Sequence, residues 1–175
     1  MKTKKCLIAY FSRPGSNYAS GHVVDLPVGN TEVAAKMIQE MTGGDLFRVE
    51  TVKAYPADYM DTTEIAGKEM REGARPEIAG SVKDIAKYDV VFLGYPNWWD
   101  TMPMAMFTFL EKHNLMGLTI APFCTHEGNG MGRSAGDIAK TCPGARIVEG
   151  LAIQGTHVEE SWEVIEAWVG KIAGE

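Results

Sequence analysis

Three short segments of this 175-residue chain carry side chains suited to holding a planar molecule that bears a phosphate. Ser12-Arg13 and, after a gap, Gly29-Asn30-Thr31 combine hydroxyls, an arginine and the start of a helical stretch. Free amides at a helix N-terminus attract an anion, and the hydroxyls add donors. The segment Gly94-Tyr95-Pro96-Asn97-Trp98-Trp99-Asp100 puts two adjacent indoles on one loop, where both cannot easily point inward, so one is free to stack on a flat ligand. Thr125-His126-Glu127-Gly128 opens a stretch with glycines at 128, 130 and 132, which lets backbone approach the polar edge of a ring. Each segment also has a plainer reading: a helix cap at Asn30 and Thr31, a core tryptophan, and a surface turn.

Other reactive side chains point to less. Cys6, Cys124 and Cys142 are far apart, with no Cys-x-x-Cys pair and no histidine at metal-ligand spacing, so neither a disulfide framework nor a metal site is expected. Cys6 and Cys124 fall in expected strands and read as small buried hydrophobes. His126 reads as a loop residue contacting ligand or water, with proton transfer the lesser alternative, whereas His22, His113 and His157 read as solvated or locally bonded. No catalytic side chain is assigned.

The elements that must position these loops follow from hydrophobic period. Apolar runs rich in β-branched residues alternate with helical stretches, the pattern of βαβ units around a parallel sheet. Strands are expected at Cys6–Phe11, at Leu46–Glu50 near the sheet edge, at Val90–Leu93 in the centre, at Thr119–Thr125 and at Ala145–Leu151. Helices are expected at Thr31–Met41, in part of Tyr55–Pro76, after Pro103, at Gly132–Lys140 and at Glu159–Ile172, the last carrying Trp162, Ile165, Trp168, Val169 and Ile172 inward. Arg13 to Val28 and Thr51 to Gly80 exceed the usual strand-to-helix loop of about 2 to 6 residues.

Composition narrows the function classes. The length suits a single domain spanning 1–175, and 45% hydrophobic with 23% charged residues is ordinary for a globular chain. A net charge of −6, with no basic cluster beyond a lysine-rich lead-in at residues 1–5, argues against nucleic acid. No run approaches the roughly 18 apolar residues of a membrane span, and no signal-peptide pattern appears, so a cytoplasmic location is expected.

Together the three loops resemble the flavodoxin family over nearly the whole chain. The resemblance implies an α/β three-layer sandwich with a five-stranded parallel sheet of order 2-1-3-4-5, and noncovalently bound FMN. Ser12, Arg13, Gly29, Asn30 and Thr31 would match its phosphate loop; Pro96, Asn97, Trp98 and Trp99 its aromatic loop; Thr125, His126, Glu127 and Gly128 the loop beside the pyrimidine edge of the flavin. One departure is visible: Pro14 to Val28 interrupt the phosphate loop, either as a lid over the flavin or as a surface bulge, the reading preferred from sequence. With no long insertion between Arg146 and Leu151, the match is to the shorter type.

Such a protein is expected to carry single electrons at low potential between redox partner proteins, a reductase and an acceptor. The alternative is an FMN-dependent reductase of the NAD(P)H:quinone type, with His126 and Glu127 orienting a substrate. A receiver-like regulatory domain would need clustered aspartates after the first strand, where this chain has Ser12 and Arg13. Tyr59, Met60, Met70, Met102 and Met104 read either as core fillers or as part of a partner surface.

Overall fold

Alternation along the first strand sets the whole layout. In β1 (Cys6–Tyr10) every residue is buried, which requires cover on both faces of the sheet. Leu7 and Ala9 join one core cluster while Cys6, Ile8 and Tyr10 join another, because successive side chains of a strand point to opposite faces. The computed structural model describes residues 4–174, and in it β1 pairs in parallel with β4 (Asp45–Arg48) on one side and β5 (Val90–Pro96) on the other. Next comes β6 (Thr119–His126), parallel to β5, and the last position is shared by β7 (Arg146–Ile147) and β8 (Leu151–Gln154), both parallel to β6. Numbered by their five positions, the strands run 2-1-3-4-5, as expected.

One face is covered by α1 (Asn30–Thr42) and α5 (Trp162–Ala173). Ala34, Ala35 and Ile38 of α1, with Ile165, Trp168 and Val169 of α5, meet Ile8, Phe92 and Phe123. The other face is covered by α3 (Met104–Lys112) and α4 (Ser134–Thr141), whose Met106, Phe109 and Ile138 are fully buried against Leu93 and Ile120. The charged helix expected between Tyr55 and Pro76 is α2 (Tyr59–Glu72), flanking this second layer.

Four expectations change. The fifth strand is not one piece from Ala145 to Leu151: residues 148–150 separate its two halves, and the second half runs on to Gln154. Trp162 is 37% exposed, because α5 starts at Trp162 after a 3-10 segment (Gly155–Glu160), so its first turn points outward while Trp168 turns inward. The methionines divide, with Met102 and Met104 in the core, Met70 packed against it and Met60 65% exposed. Residues 14–28 form an antiparallel hairpin, β2 (Gly15–Ala19) and β3 (His22–Leu26). The basic lead-in is described only from Lys4, whose Nζ donates to the Ile172 carbonyl at 2.8 Å; Lys2 lies outside the described residues.

The two ends of α5 should therefore respond differently to truncation. Trp168 packs edge-on against Phe92 and Phe123 and donates from Nε1 to the Glu149 carbonyl at 2.9 Å. Trp168→Ala is expected to cost about 3–5 kcal/mol in denaturant unfolding, and Trp162→Ala to stay within about 0.5 kcal/mol. Equal losses would contradict this orientation of the helix.

Candidate functional site

The amino end of α1 is built from two pieces of chain that the hairpin separates. Ser12, buried at the end of β1, accepts the Glu32 N–H on its Oγ at 3.0 Å. It thus caps a helix that begins eighteen residues later, whereas the local N-cap, Gly29, makes no side-chain bond. A Cβ on Gly29 would collide with Ser12 Oγ and with the Arg13 backbone, so glycine is what lets the two pieces touch. Because the Ser12 oxygen accepts, its own O–H remains a donor. The amides of Asn30 and Thr31 lie in the first helical turn, where the helix provides them no carbonyl.

Charge around this cradle is arranged so that an anion is tolerated. Glu32, in the first turn, would repel a phosphate, but it is paired with Lys36 at 2.8 Å and Arg48 at 2.8 Å. The Lys36 hydrogen bond, with help from Arg48, holds the Glu32 carboxyl below the ordinary carboxylate range. Arg48 also donates from Nη2 to the Ser12 carbonyl at 3.1 Å, fixing the end of β1. Arg13 lines the cavity at this site but directs its guanidinium at protein groups. Its guanidinium donates to the carbonyls of Ser16, Pro56 and Ala57 and to Thr62 Oγ1, tying the hairpin to the start of α2, and burial lowers its pKa.

The loop after β5 separates the two tryptophans. Trp98 and Thr101 exchange backbone hydrogen bonds of 2.9 and 3.2 Å across Trp99 and Asp100, which have φ of 52° and 69°. Two consecutive positive φ values describe a type I′ turn, normally built from Asn-Gly. Left-handed non-glycine residues cost on the order of 1–3 kcal/mol each, so the surroundings must hold them. Trp99 Nε1 donates to the Thr63 carbonyl at 2.9 Å, its indole lies against Gly67, where a Cβ would clash, and the Asp100 carbonyl accepts from Arg133 N–H at 2.8 Å. Trp99 ends braced on α2 and 46% exposed. Trp98 is half-buried, packed edge-on against Phe11 at 5.1 Å and Tyr55 at 5.2 Å.

The loop after β6 is locked to its neighbours. Asn97 Nδ2 donates to the Gly130 carbonyl at 2.8 Å while its Oδ1 accepts from Asp100 N–H at 3.0 Å, joining both loops. Thr125 and Thr31 share a buried hydroxyl bond of 2.8 Å that links β6 to α1. His126 Nδ1 accepts from Gly128 N–H at 3.0 Å, which places the proton of the neutral ring on Nε2. Glu127 accepts from Thr156 N–H at 2.8 Å, Thr156 O–H at 2.7 Å and Ser20 N–H at 3.3 Å.

That last bond anchors the hairpin tip beside the strand ends. The hairpin is therefore not a bulge directed away from the site. Asn17 and Tyr18 line the cavity, and the Tyr18 ring stacks on Tyr59 with centroids 6.2 Å apart.

These parts enclose a cavity of about 450 Å³ at the carboxyl ends of the strands. Its size lies in the usual small-molecule range of roughly 300–1,000 Å³. Of the residues singled out in the sequence, Ser12, Arg13, Asn30, Thr31, Pro96, Asn97, Trp98, Thr125, His126, Glu127 and Gly128 line it. Gly29 sits beneath it, and Trp99 faces a neighbouring cavity of about 310 Å³. Sequence reasoning left the role of Asn17 and Tyr18 open with that of the inserted segment, and did not place Tyr59, Asn129 or Gly155 at the site. A signal for the hairpin was present: Ser20-Gly21, both at positive φ, lies between two runs that pair. Burial pushes the Cys124 thiol up to about 12, so it stays protonated, and no metal-holding cluster occurs among the described residues.

Comparison with known proteins agrees with this architecture. Among solved structures, a candidate flavoprotein from Bacteroides eggerthii is 31% identical over 98% of this chain and 99% of its own, with a TM-score of 0.77. Another from Bacteroides uniformis is 27% identical over 96% and 99%, with a TM-score of 0.75. A flavoprotein from Lactobacillus acidophilus, solved in complex with FMN, is 23% identical over 91% and 99%, with a TM-score of 0.67. No curated protein matches. The sequence model of the flavodoxin family matches residues 5–172, and with a match of that extent this chain belongs to the flavodoxin family.

Proposed function

We propose that this protein binds FMN in the 450 Å³ cavity and uses it to carry single electrons between redox partner proteins. The observation that carries the reading is the rejoined loop: Ser12 and Gly29 meet at the start of α1, beneath a cavity walled by Trp98. Ser12 O–H and the first-turn amides of α1 suit a phosphate, and the positive end of the helix favours its charge. Trp98 offers an aromatic wall for a tricyclic ring, and backbone of residues 126–128 lies where a polar ring edge would be met. Bound FMN supplies reversible one- and two-electron chemistry.

Electron transfer is favoured because the polar side chains of this wall are spent on holding the loops together. Asn97 joins Gly130 to Asp100, Glu127 holds Thr156 and Ser20, and Thr31 holds Thr125. His126 keeps its Nδ1 on Gly128, so the site aims no dedicated acid and base pair at a substrate. A net charge of −6 opposes added negative charge in the cavity, which lowers the potential. One observation favours the reductase reading as well: the second cavity beside Trp98 gives a small substrate somewhere to sit.

Two expectations test the binding mode and the function. Ser12→Ala should weaken FMN about tenfold while leaving riboflavin, which has no phosphate, unchanged. Trp98→Ala should weaken both, since stacking of a flat ring on an aromatic side chain is worth about 1–3 kcal/mol. Fluorescence titration reads all four affinities, and loss of riboflavin binding in Ser12→Ala would break the phosphate assignment. For function, an anaerobic redox titration of the FMN-loaded protein should accumulate a half-reduced state visible by electron paramagnetic resonance. Rapid full reduction on mixing with NADH, without any added reductase, would replace the carrier reading with the reductase one.

A further inference from the structure

The chain has asparagines at 17, 30, 97, 114 and 129, and of these Asn129 alone is followed by glycine. Asn129 is exposed in the loop after β6 and lines both the 450 Å³ cavity and its 310 Å³ neighbour. Its carboxamide makes no hydrogen bond among the described residues, and neither does the Gly130 N–H that follows it. We propose that Asn129 is a self-modifying site: the Gly130 amide nitrogen attacks the side chain and converts it to aspartate and isoaspartate, which places a new carboxylate in the cavity wall.

Three conditions favour this ring closure, and each is met. A carboxamide without partners is free to turn its Cγ toward the main chain. An amide N–H without an acceptor is open to loss of its proton to hydroxide. Glycine has no Cβ to crowd the attacking nitrogen, and the φ of 58° at Gly130 selects glycine there. The nitrogen bonds to Asn129 Cγ, the Cγ–Nδ2 bond breaks, and ammonia leaves with a proton taken from water. One water then opens the imide at either of its carbonyls, giving aspartate at one and isoaspartate at the other. Nothing is oxidised or reduced.

The other asparagines lack these conditions. Asn17 Nδ2 donates to the Arg13 and Gly15 carbonyls at 2.9 and 3.0 Å, and both ends of the Asn97 carboxamide are bonded. Asn114 Oδ1 accepts from Met116 N–H at 3.1 Å, and Asn30 is held in the first turn of α1 before the β-branched Thr31.

The two products differ in what they disturb. The Gly130 carbonyl accepts from Asn97 Nδ2 at 2.8 Å, the bond that joins the loops after β5 and β6. Aspartate leaves the main chain as it is and adds charge alone. Isoaspartate routes the main chain through the former side-chain carbon, lengthens it by one atom and strains that bond. The effect on the cofactor rests on FMN filling the larger cavity. There a carboxylate at residue 129 joins Glu127 and opposes the negative charge that reduction adds.

The test ages the purified full chain at mildly alkaline pH and reads each asparagine by peptide mass spectrometry, with isoaspartate identified by enzymatic methylation. Residue 129 is expected to lose its amide and yield both products while Asn17, Asn30, Asn97 and Asn114 are retained, and Asn129→Gln to keep its amide. An unchanged Asn129, loss spread evenly over the asparagines, or aspartate without isoaspartate would each overturn the proposal, the last because direct hydrolysis does not pass through the imide. Asn129→Asp, compared with wild type by titration of oxidised and of fully reduced FMN, is expected to weaken the reduced form about fivefold more than the oxidised one. Equal weakening of the two would overturn the charge effect. Failure of wild-type protein to bind FMN would instead defeat the cofactor reading, a distinct result because conversion at residue 129 is read by mass without FMN.

Discussion

The contact on which the site depends is the one between Ser12 and the beginning of α1. A helix start exposes amides that need acceptors, and here the acceptor comes from the end of β1 across a fifteen-residue excursion at positions 14–28. Gly29 makes the contact sterically possible, and Arg48 fixes the Ser12 carbonyl from the neighbouring strand. With both ends of the loop clamped, the residues between are free to form a hairpin without dismantling the cradle. Separate clamps also hold the hairpin: Arg13 at its base and Glu127 at its tip.

A second constraint is geometric. Adjacent indoles on one loop must diverge, and a type I′ turn makes them do so at a cost in backbone strain. Trp98 stays with the aromatic cluster of Phe11 and Tyr55, while Trp99 leans on Gly67 and Thr63. The divergence divides the space at the strand ends into two adjoining cavities instead of one. Strain is tolerable because Asn97 and Arg133 hold the turn from both sides.

Electrostatics follow the same economy. The molecule carries an excess of acidic residues, yet the acid nearest the cradle, Glu32, is neutralised by Lys36 and Arg48. Negative charge is left exposed instead at Asp58 and Asp61, at the start of α2, and at Asp100, in the turn after β5. An anion is thus tolerated at the start of α1.

The sequence by itself determined the parallel sheet, since period and apolar runs depend on local pattern and on burial that every strand records in its own residues, while the strand order followed from the family resemblance. Strand β5, wholly apolar from Val90 to Leu93, reads as central, and β4, alternating, as the edge. It also determined that loops at residues 12–31, 94–100 and 125–128 meet, because strand order brings carboxyl ends together. Tertiary structure alone decided which way long side chains turn. Arg13 is spent on carbonyls of residues 56 and 57, Trp162 faces outward, and Tyr59, on α2 and outside all three loops, joins the cavity beside Tyr18 of the hairpin. Such choices rest on hydrogen-bond partners and ring contacts distant in sequence, for which no local periodicity exists.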